Sequence, residues 1–349
     1  MDAVLRRVLL SPSLVRRLAE VDEFKGRWQA LGNLAPDRLT SLQRIATVES
    51  VASSTRIEGV TLTDEEVHML LRGVTAQGLR TRDEQEVAGY AAVMELIFQS
   101  WQALELTENH ILQLHCVLLG HSTADAAHRG SYKAWPNSIE AVAADGRSLR
   151  VLLATTSPLE TPHEMARLIA ETRATLAANE HHPILVIGAF VARFLAIHPF
   201  QDGNGRLSRA LTTLLLLRSG YLYVPYASLE RVVEHNKDAY NERLRRAQTT
   251  WNDAAPELGA WLGFFVDCLV EQKNVLLHRL DRERLLDPMA PLSTAILALA
   301  LERGRVTVRD VVASAGANRN TVKLHVQQLV SAGHLVPRGR GRGTWYERA

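Results

Sequence analysis

The sequence is poor in cysteine: Cys116 and Cys268 are the only two in 349 residues, far apart and without ligand-type neighbours. This excludes a disulfide framework and a cysteine-based zinc site, suits a reducing compartment, and makes both thiols expected small buried hydrophobes. Long apolar runs are missing too. The longest, Ile184–Ala196, already contains Arg193, so no membrane span is expected. The opening MDAVLRRVLLSPSLVRRLAE lacks an apolar h-region and is expected to form an amphipathic helix, not a signal, with the cytoplasm as the default address. Neither sign of charge dominates. Forty Lys and Arg against 38 Asp and Glu leave a net +2, so a polyanion partner would have to meet a local patch. No Gly-x-x-x-x-Gly-Lys-Ser/Thr loop occurs, which excludes a P-loop, and no repeat of solenoid period is present.

What is present reads as a mainly α chain of ordinary globular composition, long enough for two or three domains. Apolar spacing predicts helices over 16–31, from Pro36 to near Gly59, from Asp64, and over 84–104, 108–119, 162–178, 183–197, 205–218 and 233–249. One or two more are expected within 256–286. One stretch has strand character: SIEAVAADGRSLRVLLAT places Asp145-Gly146 between two alternating segments, the mark of a hairpin over 138–155. A lone hairpin in a helical domain is marginal by itself and is expected to pack on or cover something. After 287–293 the texture changes to helix, helix-turn-helix and an Arg-Gly-rich segment. This predicts a winged helix-turn-helix domain over 287–349, with its recognition helix near 318–332.

The densest cluster of chemistry is HPFQDGNGRLSR, His198–Arg209, set between two apolar helices. If a helix starts near Gly205, the backbone N–H groups of Gly203, Asn204 and Gly205 form an anion nest, and Arg206 and Arg209, three apart, leave one face beside it. Two guanidinium forks at such a nest suit a polyphosphate. Asp202 is a natural magnesium ligand there, and His198 is the group able to take a proton near neutral pH. The parts predict transfer of a phosphorus group to a hydroxyl.

This stretch resembles, at every defining position, the Fic-domain signature His-Pro-Phe-x-Asp/Glu-Gly-Asn-Gly-Arg-x-x-Arg. The resemblance extends over about 16–269, through the Asp22–Trp28 and Ser53–Gly59 segments, the hairpin and YNERLRRAQ. Fic proteins are mostly AMP transferases, which move AMP from ATP to a Ser, Thr or Tyr hydroxyl and release pyrophosphate. The resemblance implies a Fic-type helical domain with a hairpin flap. His198 would be the base, Phe200 a core anchor and Asp202 the holder of Mg2+. Gly203, Asn204, Gly205, Arg206, Leu207, Ser208 and Arg209 would lie on the nucleotide, with Arg209 at the γ-phosphate. The flap would register a protein target by strand addition. Tyr240 and Gln248 are candidates for the adenine pocket, although the family's second tyrosine is Asn241 here.

The same resemblance gives SSTRIEG a role. Read alone, Glu58 is a solvated carboxylate facing the negative end of its own helix, with Gly59 as cap. It fits the family's inhibitory motif Ser/Thr-x-x-x-Glu-Gly/Asn, which implies that Ser54 and Glu58, on an inhibitory helix at about 42–58, hold Arg209 away from the γ-phosphate. In some members that glutamate also positions a water that removes AMP. The expected organisation is thus 1–83 with the inhibitory helix, an 84–286 Fic core and a 287–349 winged helix, whose Arg319, Lys323, Arg338, Arg340 and Arg342 suit phosphate contacts. Two functions stand open: an autoinhibited protein adenylyltransferase using Mg-ATP, or a DNA-binding regulator whose Fic domain senses nucleotide. A homodimer is compatible with the sequence.

Overall fold

The structure is a computed structural model that describes all residues except 31–35, 74–78, 143–147, 252, 254–256, 287–290 and 340. It forms two compact units, Met1–Leu276 and Leu277–Ala349. In the first, a short α1 (Asp2–Leu5) precedes α2 (Pro12–Ala30), α3 (Pro36–Ile57), α4 (Asp64–Gly73), α5 (Arg82–Ser100) and α6 (Glu108–Leu118). The hairpin β1 (Ser138–Val142) and β2 (Ser148–Ala154) follows, then α7 (Thr161–Ala178), α8 (Pro183–Ile197) and α9 (Asn204–Arg218). Next come a 3-10 turn (Val224–Tyr226), α10 (Leu229–His235), α11 (Lys237–Thr249) and α12 (Leu258–Leu286). No described helix is long and apolar enough to cross a membrane.

The core is built on α8, whose run ILVIGAFVARFLAI is buried almost throughout because it is apolar on every side. His182 caps it, its Nδ1 accepting the Ile184 N–H at 3.3 Å ahead of Pro183. Gly188 lets α12 cross closely: a Cβ there would stand 2.7 Å from Leu262 Cδ2, and Trp261 Nε1 donates to the Gly188 carbonyl at 2.8 Å. Phe190 and Phe194 are fully buried, and each such ring contributes roughly 1.5–3 kcal/mol by leaving water. α9 packs on α8, and α3 packs against α5, α9 and α10.

Several local expectations change. The N-terminal amphipathic helix is broken: only Asp2–Leu5 and Pro12 onward are helical, and α2 starts early because Ser11 Oγ accepts the Leu14 N–H at 3.2 Å. The helix expected over 233–249 breaks at Asn236, whose Nδ2 turns back to the Val232 carbonyl at 2.9 Å. One continuous α12 occupies the 256–286 region. Cys268 is buried, but Cys116 lies on the exposed face of α6. The expected boundary at 83/84 is not a break between units, because α3 is built into the first unit, and α12 runs on past 276 to Leu286.

The hairpin is antiparallel, pairing Ser138 with Ala154 and Val142 with Ser148, with register shifts on the way. Its Asp145-Gly146 turn lies outside the described residues. In the second unit, α13 (Pro291–Arg303), α14 (Val308–Ala315) and α15 (Arg319–Ser331) precede the antiparallel pair β3 (Leu335–Arg338) and β4 (Trp345–Arg348). A Thr307/Asp310 capping box starts α14, Gly316 at φ 62° ends it, and Asn318 caps α15. Ile296, Val306, Val311, Val322, Val326 and Leu335 give this unit a core of its own.

Candidate active site

α8 ends on His198, whose backbone lies in the left-handed region at φ 53° and ψ 62°. For a residue with a Cβ this costs about 1 kcal/mol or more, so the surroundings must impose it. They do so through the next six residues. Phe200 is fully buried and stacks on His115, ring centroids 3.8 Å apart. Asn204 clamps Phe200 from both sides, its Oδ1 accepting the Phe200 N–H at 2.9 Å and its Nδ2 donating to the Phe200 carbonyl at 2.7 Å. Gly203 sits at φ 81°, where only glycine is unstrained. His115 closes the loop from below. Its Nδ1 accepts the Gly130 N–H at 2.9 Å, so Nε2 carries the proton and donates to the Asp202 carbonyl at 3.0 Å. Burial pushes the His115 pKa down to about 4, which keeps that arrangement neutral.

His198 itself has a defined tautomer. Nδ1 lies 3.3 Å from the Leu195 carbonyl, which can only accept, so Nδ1 holds the hydrogen and Nε2 keeps its lone pair. Burial holds the imidazole below its ordinary pKa against the Leu195 bond, and the nearby Lys133 charge acts in the same direction as burial. Glu58 and Asp202 oppose it. The ring is therefore a neutral base near pH 7.

Beyond it, α9 begins at Asn204, and its first backbone N–H groups face the loop. The two arginines expected on one face diverge. Arg206 is 2% exposed and is held by Asp202 Oδ2 at 2.9 Å and Glu86 Oε2 at 3.0 Å. Arg82 completes a ring of four charges, reaching Glu86 Oε1 at 2.8 Å and Asp202 Oδ2 at 3.3 Å. Burial raises the Asp202 pKa, but Arg206, the Gly203 N–H and Arg82 outweigh it, so the carboxylate is held ionised.

Arg209 turns the other way, to the end of α3. Its Nε donates to Ser54 Oγ at 2.8 Å, and its Nη2 to the Ser54 carbonyl at 2.9 Å and Glu58 Oε1 at 2.7 Å. Ser54 is fully buried, and Arg209 is 7% exposed. Glu58 keeps about a third of its side chain open, at 36%. A Cβ on Gly205 would collide with the Glu58 carboxylate, which therefore lies on the first turn of α9 where an anion belongs. The expected conflict with the dipole of α3 is offset by the positive end of another helix. Burial raises the Glu58 pKa, and Arg209 and Arg206 bring it below the ordinary carboxylate value.

Four expected nucleotide residues stand differently. Leu207 is in the core and its N–H is bonded to the Gly203 carbonyl at 2.9 Å. Ser208 is buried with its hydroxyl on the Gly205 carbonyl at 2.7 Å. Neither side chain faces the loop, because both lie on the inner side of α9. Tyr240 packs edge-on against Trp261 at 5.4 Å and lines a cavity with Arg209, Phe264 and Cys268. Gln248 is buried with Nε2 3.5 Å from the Ala192 carbonyl. Conversely, Arg82, Glu86 and His115 belong to the site without having been legible. Each is an ordinary helical residue in its own segment, and nothing local pairs it with the 198–209 loop.

Asp202 is chemically suited to donate an oxygen to a divalent cation. Among the described residues no group of three or more His, Cys, Asp or Glu is placed to hold one. Magnesium at phosphates is held by one or two carboxylates, with phosphate oxygens and water completing the shell. The partly exposed, ionised Asp202 supplies such a donor.

The fold and loop define a class. Residues 105–216 match the model of the Fic/DOC family. A protein adenylyltransferase Fic of Drosophila virilis is 30% identical over 212 residues, 59% of this chain and 40% of that protein. The chain thus spans about two fifths of the length of the curated relatives it matches. A Fic family protein from Desulfovibrio desulfuricans G20 superposes with a TM-score of 0.62 at 22% identity, over 98% of this chain and 97% of that one. A Fic domain containing signaling protein from Bacteroides thetaiotaomicron VPI-5482 gives 0.60 at 24%, over 73% and 94%. The chain carries a Fic domain, and its helical fold is that of Fic family proteins.

Proposed function

We propose that this chain is an autoinhibited protein adenylyltransferase. Nε2 of His198 takes the proton of a Ser, Thr or Tyr hydroxyl on a protein target as its oxygen attacks the α-phosphorus of ATP. The new bond is oxygen to α-phosphorus, and the bond that breaks releases pyrophosphate. The backbone N–H groups opening α9 stabilise the charge on the phosphate oxygens. Asp202 would hold Mg2+, which supplies further charge neutralisation at the phosphates. Arg209 would take the γ-phosphate once Glu58 withdraws, and the hairpin would seat the target strand. The observation that carries this reading is the neutral His198, with Nε2 free, at the head of a loop that ends on a helix N-terminus.

The test compares ATP labelled at the α- or the γ-phosphate, using the Glu58→Gly variant. Label from the α-position should remain on protein, γ-label should leave with pyrophosphate, and His198→Ala should abolish both. Transfer of γ-label to protein would contradict the reading. The second unit supports an additional role. Arg319 and Lys323 are exposed one turn apart on α15, as phosphate contacts of a winged helix require, whereas Arg338 is paired with Glu347. Retention on duplex DNA that falls steeply with salt is the expected result, and no retention at low salt would end that role.

A further inference from the structure

Lys133 belongs neither to the signature loop nor to the hairpin, yet it is 3% exposed, and burying an ammonium is costly unless each of its hydrogens finds an acceptor. All three do. Nζ donates to Asn137 Oδ1 at 2.8 Å, Thr155 Oγ1 at 2.9 Å and the Ile197 carbonyl at 3.0 Å. These acceptors come from three places. Asn137 immediately precedes β1, Thr155 immediately follows β2, and Ile197 is the last residue of α8, directly before His198. The Lys133 backbone N–H adds a bond to the Pro199 carbonyl at 2.9 Å, on the other side of His198.

The node extends into the loop. Asn137 Nδ2 donates to the Phe200 carbonyl at 2.9 Å, and the Thr155 hydroxyl donates back to the Asn137 carbonyl at 2.7 Å. The Phe200 carbonyl thus receives Asn137 on one lone pair and Asn204 on the other. Both ends of the hairpin and the residue before His198 are tied to Lys133 Nζ, and the residue after His198 is tied to the Lys133 backbone N–H. A hairpin alone in a helical unit has little rigidity of its own, so these ties decide where it stands.

We propose that Lys133 is a positioning residue that fastens the hairpin to the His198 loop and so sets the distance between a hairpin-seated acceptor hydroxyl and His198 Nε2. This rests on the adenylyltransferase reading for its chemistry, but the mechanical coupling does not depend on it. Near-attack geometry is sensitive to displacements of about 1 Å, which can cost on the order of 100-fold in rate. Burial pushes the Lys133 pKa down to about 8, so it still carries its charge and all three donors near neutral pH.

The experiment uses the full chain with Glu58→Gly, α-labelled ATP and self-modification of the chain as the transfer assay, with ATP affinity measured by calorimetry. Lys133→Met keeps length and loses the donors. It should lower transfer at saturating ATP at least about tenfold and leave ATP affinity within about twofold, since Nζ itself bonds neither the nest opening α9 nor Arg209. Transfer within about twofold of the parent, or affinity falling in step with rate, overturns the proposal. If Lys133→Met does not fold, Thr155→Val removes one acceptor and should give the same split, smaller in size; an unchanged rate there overturns it equally. If the Glu58→Gly parent transfers nothing, the functional reading fails while the node is decided by amide hydrogen exchange. Faster exchange in β1, β2 and 199–204 together, in either variant, upholds the coupling, and unchanged exchange in those segments refutes it.

Discussion

Arg206 and Arg209 lie one turn apart on α9 and are both nearly buried, but they are held by different kinds of partner. Arg206 is fixed by Asp202, four residues back on its own loop, and by Glu86 from α5, a helix integral to the core. Arg209 is fixed at the end of α3, through Ser54 and Glu58. The first set cannot leave without dismantling the site. The second ends in a carboxylate that is 36% exposed and followed by Gly59 at φ 108°, which is what the proposed withdrawal of Glu58 requires. Within one helix, one guanidinium is bound into the charge ring of the loop, and the other is the one proposed to exchange between an internal carboxylate and a phosphate.

The contrast can be broken most strongly at Arg206. Arg206→Ala leaves Asp202 and Glu86 without their buried cation and should destabilise the first unit by about 3–5 kcal/mol, read by thermal or denaturant melting. Glu58→Gly should do the reverse to function. Removing a charged hydrogen bond of about 1.5–3 kcal/mol from Arg209 corresponds to a gain of about 10- to 150-fold in transfer of labelled AMP.

A smaller effect is expected two residues before Glu58. Arg56 ties the end of α3 to Glu234 at 2.6 Å and to Asp64 at 3.0 Å. These pairs are partly exposed, so Arg56→Ala should release the brake only about two- to fivefold in the same assay. The smallest effect is on pH. Because the Glu58 pKa is lowered on folding, its pairing with Arg209 stabilises the protein above the ordinary glutamate value of 4.5 and is lost as pH falls through the depressed value. The melting difference between wild type and Glu58→Gln should hold steady above that value and close below it. A difference that widened in acid would invert the assignment.

Much of this was legible because it is contiguous. His198, Asp202 and the glycines occupy one loop, and local rules for helix ends placed that loop between α8 and α9. Glu58 was reached through a second short motif. The rest comes from chain segments that only the fold brings together. His115 reads as one polar residue on an apolar helix, Glu86 as one acid on a charged one, and Lys133 as a surface lysine, while each is in fact bonded to the loop or to a residue on it. The spacing of Arg206 and Arg209 misled for the same reason: helical periodicity gives the face a side chain leaves from, not the partner that captures it.

In the proposed mechanism Glu58 and the γ-phosphate of ATP compete for Arg209. The direct measurement is the initial rate of α-labelled AMP transfer to protein at saturating Mg-ATP for wild type, Glu58→Gly and Glu58→Gly with His198→Ala. Slow transfer by wild type, at least about tenfold faster transfer by Glu58→Gly, and none by the double variant is the expected result. A Glu58→Gly protein that binds ATP but transfers label no faster than wild type would contradict it.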